Sequence, residues 1–155
     1  MNHEDFMREA IRMASDNVKN GGGPFGAVVV RDGFIIGRGV NRVTASCDPT
    51  AHAEVNAIRD AARNVNNFDL SGAIIYTSCE PCPMCLGSIY WARISQIFYG
   101  NNQKDAADIN FDDSFIYDEF AKPANSRSIP AHNILHQEAK ATFDLWRDSA
   151  DKTPY

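Results

Sequence analysis

Two short segments, His52-Ala53-Glu54 and Pro81-Cys82-Pro83-Met84-Cys85, constrain this chain more than any other feature. The interval between them is long enough for one helix and one strand. One imidazole, two thiols and a carboxylate that is not a ligand are what a catalytic zinc site needs in order to split water at neutral pH. Zinc takes nitrogen and sulfur ligands in a tetrahedron, and a catalytic site leaves the fourth position to water. His52, Cys82 and Cys85 are therefore the expected ligands of one zinc ion per chain. Glu54, two residues from the imidazole, is expected to take the proton from water.

A closed structural site is the competing arrangement. Cys79-Glu80-Pro81-Cys82 is also a C-x-x-C, so His52, Cys79, Cys82 and Cys85 offer a three-Cys, one-His tetrahedron. Local geometry argues against it. Residues 73–78 read as a buried strand with Cys79 at its end, whereas Pro83 suits the first turn of a helix. Cys82 and Cys85 then share one face at a helix start, and Cys79 lies before the turn. A closed site would also leave Glu54 without a role.

The 155 residues suit one compact domain, 1–155, with a sizeable core. No apolar run is long enough to span a membrane. Met1-Asn2-His3-Glu4-Asp5 has neither the basic segment nor the apolar stretch of a secretory signal. Four cysteines, two of them in a metal motif, suggest reduced cytoplasmic thiols rather than a disulfide framework, with Cys47 and Cys79 unpaired. The chain has 20 acidic and 15 basic residues, a net charge of −5, which lacks the basic footprint of a nucleic-acid binder.

Phe6, Ala10, Ile11, Met13, Ala14 and Val18 recur at helical spacing and predict a helix over 3–19, ended by Gly21-Gly22-Gly23-Pro24. Residues 27–30 predict a buried strand, Asp32-Gly33 a hairpin turn and 34–40 its antiparallel partner. A helix is expected over about 50–64, opened by Asp48-Pro49-Thr50, then a loop, a strand over 73–78, a helix over 83–92 and a short strand over 96–99. Residues 114–121 and 139–150 read as helices, with Asp112-Asp113 as a cap before the first. Residues 133–136 are the candidate fifth strand. Strands alternating with helices predict a three-layer α/β/α fold around a five-stranded mixed sheet.

At a helix start, the unpaired N–H groups favour anions and lower thiol pKa values. His52 and Glu54 are about 200° apart around an ideal helix, so they can meet only over the helix end. The His52-Ala53-Glu54 and Pro81-Cys82-Pro83-Met84-Cys85 pair resembles the signature of the zinc nucleobase deaminases. That resemblance implies a reaction that needs a nucleophile from water, a proton on a ring nitrogen and a proton on the departing ammonia. One carboxylate can carry all three transfers, and Glu54 fits that shuttle. Absent the zinc motif, Glu54 reads as a solvated acid that favours the helix dipole.

The resemblance to a known family rests on Gly22-Gly23-Pro24-Phe25-Gly26-Ala27, Asn41, residues 48–54, residues 76–85 and Tyr90-Trp91-Ala92-Arg93. These resemble the cytidine deaminase-like zinc deaminases. Phe111-Asp112-Asp113-Ser114-Phe115-Ile116-Tyr117, Trp146-Arg147 and a terminal Tyr155 resemble, within that group, the bacterial guanine deaminases. The resemblance implies a cytidine deaminase-like fold, zinc on His52, Cys82 and Cys85, and hydrolysis of guanine to xanthine and ammonia by a zinc-activated hydroxide, with Glu54 as proton shuttle. It implies that Asn41 and Ala53 contact the base, that Phe25 and Trp91 pack on the purine, that Asp113 lies near its amino group and that Tyr155 closes the site. It also implies a homodimer in which the segment of about 139–155 is exchanged between subunits.

Each contact has a plainer role. Asn41 suits a turn, Phe25 and Trp91 a core, Asp113 a helix cap and Tyr155 a frayed end. The zinc motifs do not choose the substrate. A tRNA adenosine deaminase shares them but needs a positive surface for phosphates. The last helix and tail, with Lys140, Asp144, Arg147, Asp148, Asp151 and Lys152, are mixed in charge. Another small amino-heterocycle is a further alternative, and a non-catalytic zinc-stabilised binding module a remote one.

Overall fold

A computed structural model describes residues 1–155 as two compact units, Met1–Ser114 and Phe115–Tyr155. The first opens with α1 (His3–Lys19), whose Asn2 cap and Asp5 form a reciprocal capping box. The helix ends at Asn20, before Gly21 takes a left-handed φ of +86°. β1 (Gly26–Arg31) and β2 (Phe34–Val40) form the expected hairpin. Asp32 and Gly33 both have positive φ, the requirement of the tight turn whose twist matches the strands.

The chain continues through α2 (Val43–Ser46), α3 (Ala53–Val65), β3 (Ile74–Cys79), α4 (Pro83–Trp91), β4 (Gln96–Asn101) and α5 (Gln103–Asp108). The sheet order is β2-β1-β3-β4, with β1 antiparallel to both neighbours and β3 parallel to β4. Alternate residues of β1 serve opposite faces. Ala27 and Val29 pack with Ala53, Ala57 and Ala61 of α3 and Ile89 of α4, while Val28 and Val30 pack with Phe6 of α1. The result is the expected three-layer α/β/α fold.

α3 approaches β2 closely because the strand has glycines where the helix passes. A Cβ on Gly39 would collide with the backbone of Ala53 and Ala57, and one on Gly37 with that of Ala57 and Ala61. The topology then sets one edge of the sheet apart. β2 and β3 both run antiparallel to β1, so their carboxyl ends and the amino end of β1 lie together. Gly26 pairs with Val40, and Ala27 with Thr77. α3 and α4 start at this edge, the place where open α/β sheets bind ligands.

The second unit contains most of α6 (Ser114–Phe120), a short 3-10 turn at Ala124–Ser126 and α7 (His136–Asp148). Glu119 organises it, accepting from the Ser128 backbone at 2.7 Å and pairing with Lys122 at 2.8 Å.

The sheet has four strands, not five. Residues 133–136 do not form a strand, because Leu135 takes φ +53° and caps α7, and an extended strand cannot pass through that conformation. α3 begins at Ala53 rather than near residue 50, since the Asp48 carboxylate takes both the N–H and the hydroxyl of Thr50 and holds a separate turn. α7 begins three residues earlier than expected, and the short helices α2 and α5 were not expected.

Candidate metal centre and active site

His52 is the N-cap residue of α3, with extended φ and ψ of −73° and 157°. Its carbonyl accepts the Asn56 N–H and starts the helix, so the imidazole projects past the helix end. Cys82 is likewise the N-cap of α4, followed by Pro83 at the first helical position and by Cys85 within the first turn. Two helix N-termini therefore face one point. Asn56 reinforces this from behind, its Nδ2 donating to Val40 O at 2.9 Å and to Ala51 O at 3.3 Å. Sequence reasoning missed Asn56, although an asparagine inside a helix, where it competes for backbone hydrogen bonds, is a signal.

The ligand atoms of His52, Cys82 and Cys85 lie within 4.8 Å of one another. His52 Nδ1 is 3.5 Å from Cys82 Sγ and 3.4 Å from Cys85 Sγ. A tetrahedral zinc with Zn–N of about 2.05 Å and Zn–S of about 2.3 Å would hold nitrogen and sulfur about 3.6 Å apart, so the three donors fit zinc. Their electrostatics agree. The Cys82 thiol is pulled down to about 4 by the hydrogen bond from Cys85 and by His52, whereas Cys85 is pushed up by the same pair interaction and by burial. The trio accepts one negative charge readily, and a cation is what permits the second thiolate. Hydrogen bonding to Cys82 raises the His52 pKa.

Cys79 stands outside this group. It ends β3, is buried, and has a pKa raised to about 11 by burial and nearby carboxylates. The converging donors are thus three, as the open-site reading expects.

Glu54 lies in the first turn of α3 and is 6% exposed. Burial raises its pKa, opposed in part by a hydrogen bond with Cys85. Ala53 is fully buried beside it. Asn41 follows β2, its N–H donating to Phe25 O and its Oδ1 accepting the Val43 N–H at 3.1 Å. Phe25 is half-buried against the core and meets Phe111 edge-on, ring centroids 5.1 Å apart.

Asp112, not Asp113, forms the turn before α6, accepting the N–H and hydroxyl of Ser114 at 2.9 and 2.6 Å. Asp113 Oδ1 is buried without a hydrogen-bond partner. Desolvation raises its pKa, and the Cys82 charge adds to the rise. Trp91 ends α4, about 12 Å along the helix axis from Pro83, and is exposed. Tyr155 ends the second unit and is exposed.

Residues 1–101 match the family profile of the cytidine and deoxycytidylate deaminase zinc-binding region. The whole chain is 53% identical over 156 residues to the guanine deaminase of Bacillus subtilis (strain 168), covering 100% of both. The X-ray structure of guanine deaminase from Bacillus subtilis superimposes with a TM-score of 0.97, at 53% identity and covering 100% of this chain and 99% of that one. The tRNA-specific adenosine deaminase of Haemophilus influenzae is 42% identical over 98 residues, which covers 63% of this chain and 57% of that protein. The profile spans the sheet and both helix starts that carry the donor set; with those donors spaced for zinc, the chain belongs to the cytidine and deoxycytidylate deaminase zinc-binding family.

Proposed function

We propose that this protein is a zinc-dependent deaminase that hydrolyses guanine to xanthine and ammonia. The observation that carries guanine is Asp113 Oδ1, a buried acceptor with no partner that is electrostatically coupled to Cys82. A buried orphan acceptor costs free energy unless a ligand supplies a donor, and the amino group and ring N–H of guanine are donors. The full-length similarity to a guanine deaminase supports the same reading. The likeness to the Haemophilus tRNA-specific deaminase covers only 63% of the chain. A net charge of −5 also disfavours a polynucleotide.

His52, Cys82 and Cys85 would hold the zinc. When bound, it supplies the Lewis acidity that makes water a nucleophile at neutral pH. Glu54 accepts the proton from water at its carboxylate and delivers it to the ring nitrogen beside C2. A second proton moves through the same carboxylate to the amino group, which leaves as ammonia. Burial suits Glu54 to this work, because a raised pKa narrows the gap between its proton affinity and that of the ring. Asn41 and Ala53 contact the edge of the base and Asp113 the amino side. Phe25 and Trp91 supply the aromatic surfaces that pack on the purine.

Guanine, adenine and an adenosine-bearing tRNA anticodon loop, assayed by ammonia release and inosine formation, test the substrate. Turnover of guanine with little of adenine is expected, since adenine leaves the Asp113 acceptor unpaired. Asp113→Ala is expected to lower kcat/KM for guanine by at least about tenfold with zinc retained. Adenosine-to-inosine conversion in tRNA with guanine inert would favour the tRNA-deaminase alternative.

The protein is further proposed to be one catalytic domain that forms a homodimer, with the segment of about 139–155 exchanged so that Tyr155 covers a base. Phe143, Leu145 and Trp146 of α7 are 78%, 75% and 47% exposed, an apolar surface suited to a second chain. Sedimentation is expected to give a dimer. Deleting Pro154-Tyr155 is expected to reduce activity far more than stability, since two terminal residues bury little core; full activity in the truncated chain would exclude a covering role. No helix is long and apolar enough to cross a membrane, and the free thiols suit a cytoplasmic protein.

A further inference from the structure

Asn17 lies in the last turn of α1, remote in sequence from the metal ligands. Its Nδ2 donates to two main-chain carbonyls from different segments, Gly23 O at 2.8 Å and Asn41 O at 2.9 Å. Both hydrogens of the amide are thereby used. The two segments are themselves joined. The Phe25 N–H donates to Gly23 O, and Phe25 O accepts the Asn41 N–H. One side-chain amide therefore ties α1 directly to the backbone of Gly23 and Asn41, and through the shared Gly23 carbonyl to Phe25.

Packing does this only in part: Phe25 rests against the core and Phe111, but a cavity of about 310 Å³ borders Asn17, Gly22, Asn41 and Arg42, and on that side hydrogen bonds hold the segment. Gly22 completes the arrangement. A Cβ at Gly22 would lie 2.5 Å from Asn17 Nδ2, and its three nearest neighbours are all atoms of the Asn17 side chain. Gly22 has no left-handed φ. The closest contacts of an alanine there would be with the Asn17 amide.

We propose that Asn17, with Gly22 leaving room for its amide, is a positioning residue that holds Asn41 and Phe25 in the geometry that receives the base. This rests on the reading of Asn41 and Phe25 as base contacts. Asn17 touches neither the donor set nor Glu54, so its loss acts on substrate capture rather than on proton transfer.

Asn17→Ala is expected to raise KM for guanine by about tenfold, the worth of two ordinary hydrogen bonds, with a smaller change in kcat. Zinc content and the pH profile of kcat stay as in the wild type. Gly22→Ala is expected to reproduce the KM effect by displacing the amide. The double variant Asn17→Ala/Gly22→Ala is expected to be no worse than Asn17→Ala, because the amide that the alanine would displace is already gone. Unchanged KM in the single variants, or effects that multiply in the double variant, overturns the proposal. Wild-type turnover of guanine is measured first, and its absence removes the substrate reading. Amide hydrogen exchange at Phe25, Asn41 and Val43 then decides on its own: faster exchange in Asn17→Ala than in wild type supports the anchor, and equal rates overturn it. If the Asn17 variants do not fold, Gly22→Ala carries the same readouts.

Discussion

Glu54→Gln is expected to give a folded, zinc-loaded protein whose kcat has fallen by at least about 10²-fold, the range for loss of a general acid–base group. The substitution keeps the shape of the side chain and removes its capacity to take a proton. Structure is not expected to suffer, because Glu54 belongs to no ion pair that a neutral amide would break and its burial disfavours the charged form in any case. Metal binding is not expected to suffer either, since the converging donors are His52, Cys82 and Cys85. Metal analysis, a thermal melt and steady-state ammonia release on one preparation check all three points. Turnover close to wild type would remove Glu54 from the mechanism. A loss of zinc in parallel with activity would instead make it part of the metal's support.

The donor set is legible in the sequence because both motifs carry their own structural address. His52 follows a Pro-Thr turn and precedes a helical run, and Cys82 is followed by Pro83. Each motif therefore announces a helix start, and a helix start projects its cap side chain outward. Likewise α1 and the β1–β2 hairpin are set locally, by the Asn2–Asp5 box and by the paired positive φ of Asp32 and Gly33. Local signals of this kind survive in any tertiary setting.

What the sequence does not display is contact between distant segments. Gly37 and Gly39 read as weak points in a strand, yet they let α3, the helix that His52 caps, lie against β2. Asn17 and Asn56 read as poor helix formers, and only their carbonyl partners 6, 24, 16 and 5 residues away give them a purpose. The candidate fifth strand failed for a related reason. Asn133-Ile134-Leu135 has strand-like composition, but the left-handed turn at Leu135 that opens α7 has no glycine to announce it. Asp112 and Asp113 show the same limit in miniature: adjacent, identical side chains, of which one closes a turn and the other keeps a buried acceptor open.

Cys82→Ala and Cys85→Ala are each expected to reduce zinc from about one per chain to a small residue, with loss of activity and of thermal stability. Two donors cannot hold the ion against buffer, and a metal bound only by the folded state stabilises that state in proportion to its affinity. The two variants should differ in one respect. Cys85 is fully buried in the first turn of α4, whereas Cys82 is partly exposed. Cys85→Ala therefore also opens a small void and loses packing that Cys82→Ala keeps. A chelator separates these contributions. It should lower the melting temperature of the wild type, leave both variants nearly unmoved, and bring the wild type close to Cys82→Ala but not below it. Cys79→Ala is the control, because Cys79 ends β3 outside the donor group; it should keep its zinc and its response to chelator. Full zinc in both ligand variants would exclude the assigned site, and zinc loss in Cys79→Ala would restore the closed, four-ligand site and leave no position for water.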